Sequence, residues 1–160
     1  MPQPADKDAC ELLDADHIAV KHLFVEYARL AMAMPADSAA DRQALATKIC
    51  DELTVHAQIE EEIFYPALRQ AVPDVADVVD EGIGEHAEAK ALIARIREAG
   101  SAGDEMDALV SELARAIEHH VKEERDELFP QAKAAPGMDL AGIGVRLKER
   151  QQELQGAVGR

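Results

Sequence analysis

Apolar residues recur every three to four positions through most of the chain, the period of an amphipathic helix, and Pro and Gly cut that pattern into helical lengths. A first helix is predicted from about Asp8 to Met34, stopping before Pro35. Asp37 and Ser38 offer N-cap oxygens to a second, which runs to about Gln70 with Pro66 bending or thinning its last turns. Pro73 and Asp74 open a third, loosened by Gly82 and Gly84 and ended by Gly100. Asp104 caps a fourth that reaches roughly Ala134, with Pro130 near its end. After the break at Ala135-Pro136-Gly137, a shorter segment from about Asp139 to Leu154 sets Leu140, Ile143, Leu147 and Leu154 on one side. Long helices with short connections predict an all-α protein, an up-down-up-down four-helix bundle with a short extra C-terminal helix. The bundle takes residues 1–135, and the helix and tail take 136–160. The apolar side of that last helix either docks on the bundle or is buried in a homodimer.

The second and fourth helices carry the same string. His56, Glu60, Tyr65 and Pro66 stand in register with His120, Glu124, Phe129 and Pro130. The first and third helices each add one upstream histidine, His17 and His86. The chain therefore reads as two helix-pair repeats, each with one solitary His and one His-x-x-x-Glu.

Helical facing separates the six histidines. His17 shares a face with Leu13, Val20, Phe24 and Tyr27. His56 lies on the stripe Leu45, Ile49, Leu53, Ile59 and Ile63, with Glu60 one turn further along it. His86 goes with Val79, Ile83, Ile93 and Ile96, and His120 continues Leu109, Leu113 and Ile117 with Glu124 beyond. His22 and His119 fall on polar faces. A single inward His is ordinarily a hydrogen-bonded core residue. Four of them with two inward carboxylates are another matter, because burying so many ionisable groups without compensation costs many kcal/mol. Metal cations supply that compensation.

Imidazole and carboxylate without thiolate suit iron, manganese or zinc. Structural zinc is disfavoured, since it ordinarily takes thiolates in a closed tetrahedron. Two ions, each with two His and sharing Glu60 and Glu124, would use all six ligands and leave an open position on each. No inward base beyond these ligands specialises the site for an organic substrate.

Composition narrows the rest. Aromatics are 3% and the core is Ala, Leu, Ile and Val, which suits helices. The formal charge of −15 makes nucleic acid and anionic membrane poor partners. No apolar stretch would span a bilayer, and Met1 to Asp8 lacks the apolar segment of a signal peptide. Cys10 and Cys50, far apart and outside metal-type spacing, read as small helix residues in a reduced, cytoplasmic compartment.

The strings Asp16-His17, His56-x-x-x-Glu60-Glu61 with Tyr65-Pro66, Glu85-His86, and His120-x-x-x-Glu124 with Phe129-Pro130 together resemble the hemerythrin-like, or HHE cation-binding, domain over about residues 10–132. The resemblance implies a four-helix bundle around a carboxylate-bridged di-iron centre that binds or senses O2 or a related small oxidant. An oxidoreductase acting on peroxide, O2 or nitric oxide is the alternative it implies. Its ligand roles fall on His17, His56, Glu60, His86, His120 and Glu124. Oxygen-carrying members have a further His one turn after the third-helix His, where this chain has Lys90. The set of four His and two Glu is similar instead to the branch of bacterial proteins of unclear role and iron-sensing domains. Lys90 itself is expected to run its stem along the bundle and reach solvent.

Overall fold

The computed structural model describes residues 7–158. The stretch before Lys7, read above as lacking a signal-peptide segment, lies outside them. The described residues are helical, with no strand among them. Helix α1 spans Ala9–Ala33 and α2 spans Ala39–Ile59, which continues through a wide turn, Glu60–Phe64, into α3, Tyr65–Ala71. A single 3-10 turn, Pro73–Val75, leads into α4, Ala76–Ala99. Helix α5, Asp104–Glu123, passes through a second wide turn, Glu124–Leu128, into α6, Phe129–Ala134. The last helix, α7, is Leu140–Val158. Helices α1, α2, α4 and α5 pack as the four-helix bundle, and α7 lies across α1 and α2.

Helix α1 starts where a full capping box forms. The Asp8 carboxylate accepts from the Glu11 amide at 2.9 Å, and the Glu11 carboxylate accepts from the Asp8 amide. Helix α4 stops at Gly100, whose φ of 71° is the left-handed conformation that favours glycine.

Three local expectations are corrected. Neither Asp37 nor Ser38 caps α2 with its side chain: the Ser38 hydroxyl donates to Leu30 O and accepts from Arg42 Nε at 3.0 Å. The N-cap of α5 is Gly103, and Asp104 is its first helical residue. Gly82 does not loosen α4, which runs unbroken past it. Its missing side chain makes room for Tyr65, because a Cβ there would meet the Tyr65 hydroxyl at 3.0 Å.

The prolines act one turn earlier than expected. Pro66 and Pro130 cannot donate to the carbonyl four residues back, and their rings crowd it. The backbone widens into a π turn in both places. The Tyr65 amide donates to Glu60 O and the Phe129 amide to Glu124 O, five residues back in each case.

Two apolar clusters lie on either side of the inward histidines. One gathers Leu13, Ile59, Phe64, Leu68, Val79 and Leu128, and includes Ile143 and Leu147 of α7. The other gathers Val20, Tyr27, Ile49, Ile93, Ile96 and Leu113 towards the opposite end. Helix α7 is longer than its sequence pattern suggested, and its apolar side docks on the bundle. Cys10 and Cys50 are buried free thiols, which burial pushes up to about 12 and about 11.

Candidate metal centre

All six inward residues converge. His17, His56, His86 and His120 are nearly buried, while Glu60 and Glu124 are wholly so. Nε2 of His56 lies 2.8 Å from Glu60 Oε1 and 3.2 Å from Nε2 of His17. Nε2 of His17 lies 3.0 Å from Glu124 Oε1. On the other side, Nε2 of His86 and His120 are 3.0 Å apart, and Glu60 Oε1 is 3.4 Å from His86. His120 Nε2 is 3.4 Å from Glu124 Oε1. His17, His56, Glu60 and Glu124 form one group, and Glu60, His86 and His120 form the adjoining one, with ligand atoms inside 4.8 Å within each.

The duplication seen in sequence recurs in the packing. The solitary histidine of each repeat stacks on the aromatic before the proline of the other: His17 on Phe129 and His86 on Tyr65. Within each repeat the two imidazoles meet edge to face, at 4.8 and 4.6 Å between centroids.

Every inward imidazole is held from behind. Nδ1 of His17 faces Asp14 at 3.4 Å, that of His56 faces Asp16 at 3.1 Å, that of His86 faces Glu61 at 3.1 Å, and that of His120 faces Glu85 at 2.8 Å. A carboxylate accepting at Nδ1 keeps a proton there and leaves Nε2 free to bind a cation, the usual support for a metal-ligating histidine.

Three inner oxygens, Glu60 Oε1, Glu60 Oε2 and Glu124 Oε1, are buried with no hydrogen-bond donor. The remaining one, Glu124 Oε2, accepts from the Tyr65 hydroxyl at 3.0 Å. Buried carboxylate oxygens without donors are expensive, and a cation between them and four Nε2 atoms satisfies them all. The residues present fit such a group.

Electrostatics agree. Burial alone would make His56 less basic, but Glu60 and Asp16 outweigh it and hold its pKa well above that of free imidazole. Burial is outweighed at His120 too, by Glu60, Glu124 and Glu85, and its pKa is pushed up to about 10. Glu124 is raised, by burial and then by the charge of Glu60. Burial works against ionisation of Glu60, but the charge of His56 and the contacts with Glu124, His120 and His56 together outweigh it and hold its pKa low. Without a cation, protons do the neutralising, and a metal would displace them. Burial and the two carboxylates raise the Tyr65 phenol, so it stays a proton donor.

Sequence reasoning selected the six inward residues and set aside His22 and His119, which are exposed. It missed what surrounds them. Asp16, Glu61 and Glu85 sit beside ligands in the chain but each serves a histidine on another helix, while Asp14 serves His17 one turn further along its own helix. The repeat register flagged Tyr65 only as an aromatic, since its counterpart Phe129 has no hydroxyl. His119, although exposed, touches Glu85 at 3.2 Å. Lys90 is half exposed as expected, and its ammonium pairs with Glu61 at 3.1 Å.

Two spaces adjoin the histidines. A small pocket of 20 Å³ is lined by all four imidazoles together with Leu53, Ala57, Ala89, Lys90, Ile93, Ile117 and Val121. A cleft of 550 Å³ between α1 and α5 reaches His17 past Phe24, Val25 and Ile117.

A histidine–carboxylate centre inside a four-helix bundle defines a class of cation-binding proteins. The family model of the hemerythrin HHE cation binding domain matches residues 8–132, and the chain belongs to that family. In fold the chain is similar to the crystal structure of a hemerythrin HHE cation binding domain-containing protein from Mycobacterium kansasii. The TM-score is 0.74, with 94% of this chain and 89% of that one covered at 21% identity. A DNA nickase of the cyanobacterium Nostoc sp. (strain PCC 7120) is 29% identical over 132 residues, 79% of this chain but 35% of that protein. The chain thus spans about a third of the length of that curated relative. Among the described residues no helix is long and apolar enough to cross a membrane.

Proposed function

We propose that His17, His56, Glu60, His86, His120 and Glu124 hold two non-haem iron ions, with Glu60 and Glu124 shared between them. We propose further that this di-iron centre binds or senses O2 or a related small oxidant. The observation that carries the reading is the pocket of 20 Å³ walled by the four imidazoles, by aliphatic side chains and by Lys90, whose ammonium is paired with Glu61. A space of that size admits one water-sized or diatomic molecule and no organic substrate. Its apolar walls suit an uncharged gas.

Nitrogen and carboxylate donors without thiolate favour iron over copper(I). When bound, iron would supply one-electron exchange between ferrous and ferric states. The chain does the rest. Asp14, Asp16, Glu61 and Glu85 orient the rings, Leu53, Ala57, Ala89 and Ile93 keep bulk water from the pocket, and Tyr65 keeps a proton on its oxygen beside Glu124. The nickase activity of the cyanobacterial relative is not extended to this chain. Most of that protein has no counterpart here, and a charge of −15 repels a phosphate backbone.

Anaerobic loading with ferrous iron followed by exposure to air tests the proposal. Two irons per chain and a coloured adduct that bleaches under vacuum would support binding. Prompt irreversible oxidation would support sensing, and gas evolved on adding peroxide would favour the oxidoreductase. A preparation that takes up no iron, either in iron-replete cells or on loading, would end the di-iron reading.

A further inference from the structure

The carboxylates behind the imidazoles have partners of their own, and one of those partners differs in kind. Asp14 is held by Arg125, Glu61 by Lys90 and Glu85 by His119, all ionisable side chains. Asp16 is held by a neutral amide from α7: Nε2 of Gln151 lies 3.0 Å from both Oδ1 and Oδ2. Gln151 is 8% exposed, which is unusual for a residue with so much rotamer freedom to lose. Asp16 Oδ2 faces His56 Nδ1 at 3.1 Å, and His56 Nε2 lies 2.8 Å from Glu60 Oε1. A line of polar contacts therefore runs from α7 to the metal-facing edge of His56. The other repeat has no such input, since Glu85 occupies the position matching Asp16 and meets His119 of α5.

Helix α7 is fixed firmly enough to pass on its position. Ile143 and Leu147 are buried in the same cluster as Leu13 and Ile59. Gly144 lets α7 cross close over the start of α1, where a Cβ would meet Lys7 O at 2.6 Å. Arg150 Nε lies 3.1 Å from both oxygens of Glu62, in the wide turn that carries Glu60. Helix α7 itself lies wholly beyond residue 132, where the family match ends.

We infer that α7 is a positioning element of the metal centre. Gln151 fixes the Asp16 carboxylate, and through it the His56 ring, in one of the two subsites. The inference rests on the metal-binding reading of the six inward residues. An amide 3.0 Å from both oxygens holds the Asp16 carboxylate in one rotamer, with an oxygen kept against Nδ1 of His56. Asp16 is partly exposed, and without Gln151 it can turn towards water and release the imidazole.

The test titrates Co2+ into metal-free wild type, Gln151→Met, and Gln152→Met, the same change at an exposed position of the same helix. In Gln151→Met one of two binding steps should weaken about tenfold, the lower end of the loss for an outer-shell partner, with a changed d–d absorption for that step. The other step, and both steps of Gln152→Met, should match wild type. Should Gln151→Met not fold, Gln151→Glu keeps the length and sets a negative charge against Asp16, and it must show the same selective loss. Equal weakening of both steps, identical isotherms, or an equal effect of Gln152→Met would overturn the inference while the metal reading stands. Failure of wild type to bind Co2+ would overturn both.

Discussion

Glu85 is the chain neighbour of His86, yet its Oε1 lies 2.8 Å from Nδ1 of His120 on the facing helix. Asp16, beside His17, reaches across to His56 in the same way. Each repeat thus carries on one helix the carboxylate that orients the histidine of the next. Glu85→Ala should lower metal affinity roughly 10- to 100-fold, the usual loss on removing such a support. His119→Ala should lower it far less, because that ring is 66% exposed and water can replace it at Glu85. Competition against a chromophoric chelator reads both. Equal losses would mean that Glu85 acts through His119 rather than on His120.

Removing a ligand should cost clearly more stability when metal is present than when it is absent. A cation bound to the folded chain alone, at about a thousand times its dissociation constant, contributes about 4 kcal/mol. His56→Ala and Glu124→Ala should therefore lose metal content and most of that increment together. Melting curves with and without chelator check this. His22→Ala, at an exposed position, should change neither quantity. A ligand variant that melts lower by the same amount in both conditions would make the loss one of packing.

The metal-free protein should weaken as pH rises. The folded pKa of His120 stands at about 10, above the ordinary imidazole value of about 6.5, and His56 is raised as well. A raised folded pKa stabilises in full below about 6.5, and that contribution is lost as pH climbs through about 10. The melting temperature of the apo form should fall between about pH 7 and about pH 10. The metal-loaded form should not show that fall, because the cation has replaced the protons. Metal uptake should release protons and weaken on acidification, so calorimetry in two buffers of different ionisation enthalpy should show a buffer-dependent heat.

The helix order and the six inward residues were legible in the sequence because both obey the 3.6-residue period, and the duplicated His-x-x-x-Glu string separated His120 from His119. Contacts between helices carry no such period. That Asp16 serves His56 rather than its neighbour His17 follows from how α1 packs on α2. Pro66 and Pro130 announced a disturbance, but where the backbone would widen depended on the ladder upstream, at Glu60 and Glu124. Gln151 gave no signal at all, since a glutamine on a mixed helix face reads as surface.

At the opposite end of the bundle, Arg42 is buried and ties three segments together. Its Nη1 lies 2.7 and 2.9 Å from the two Asp107 oxygens, its Nη2 donates to Pro35 O, and Tyr27 donates to Asp107 at 2.7 Å. Tyr27→Phe removes one hydrogen bond and should cost about 1 kcal/mol in urea unfolding. Arg42→Met strips Asp107 of its cation and Pro35 O of a donor, and should cost more than Tyr27→Phe. Neither change touches the histidines, so metal affinity should hold in both. A fall in affinity would show the two ends of the bundle to be coupled.

The small pocket offers the sharpest separation of metal binding from oxidant binding. Ala57 and Ala89 face it but are not among the inward His and Glu residues. Ala57→Leu would fill a space of 20 Å³ with a side chain three carbons larger, at an overpacking cost of about 1–3 kcal/mol. Ferrous iron should still load, with its ligands untouched, while oxidation by air should slow at least about tenfold, equivalent to about 1.4 kcal/mol in the barrier. Stopped-flow absorbance after mixing with oxygenated buffer measures the rate, and iron analysis confirms loading. An unchanged rate with full iron would mean that the oxidant reaches the metals from elsewhere, the α1–α5 cleft beside His17 being the next route to block.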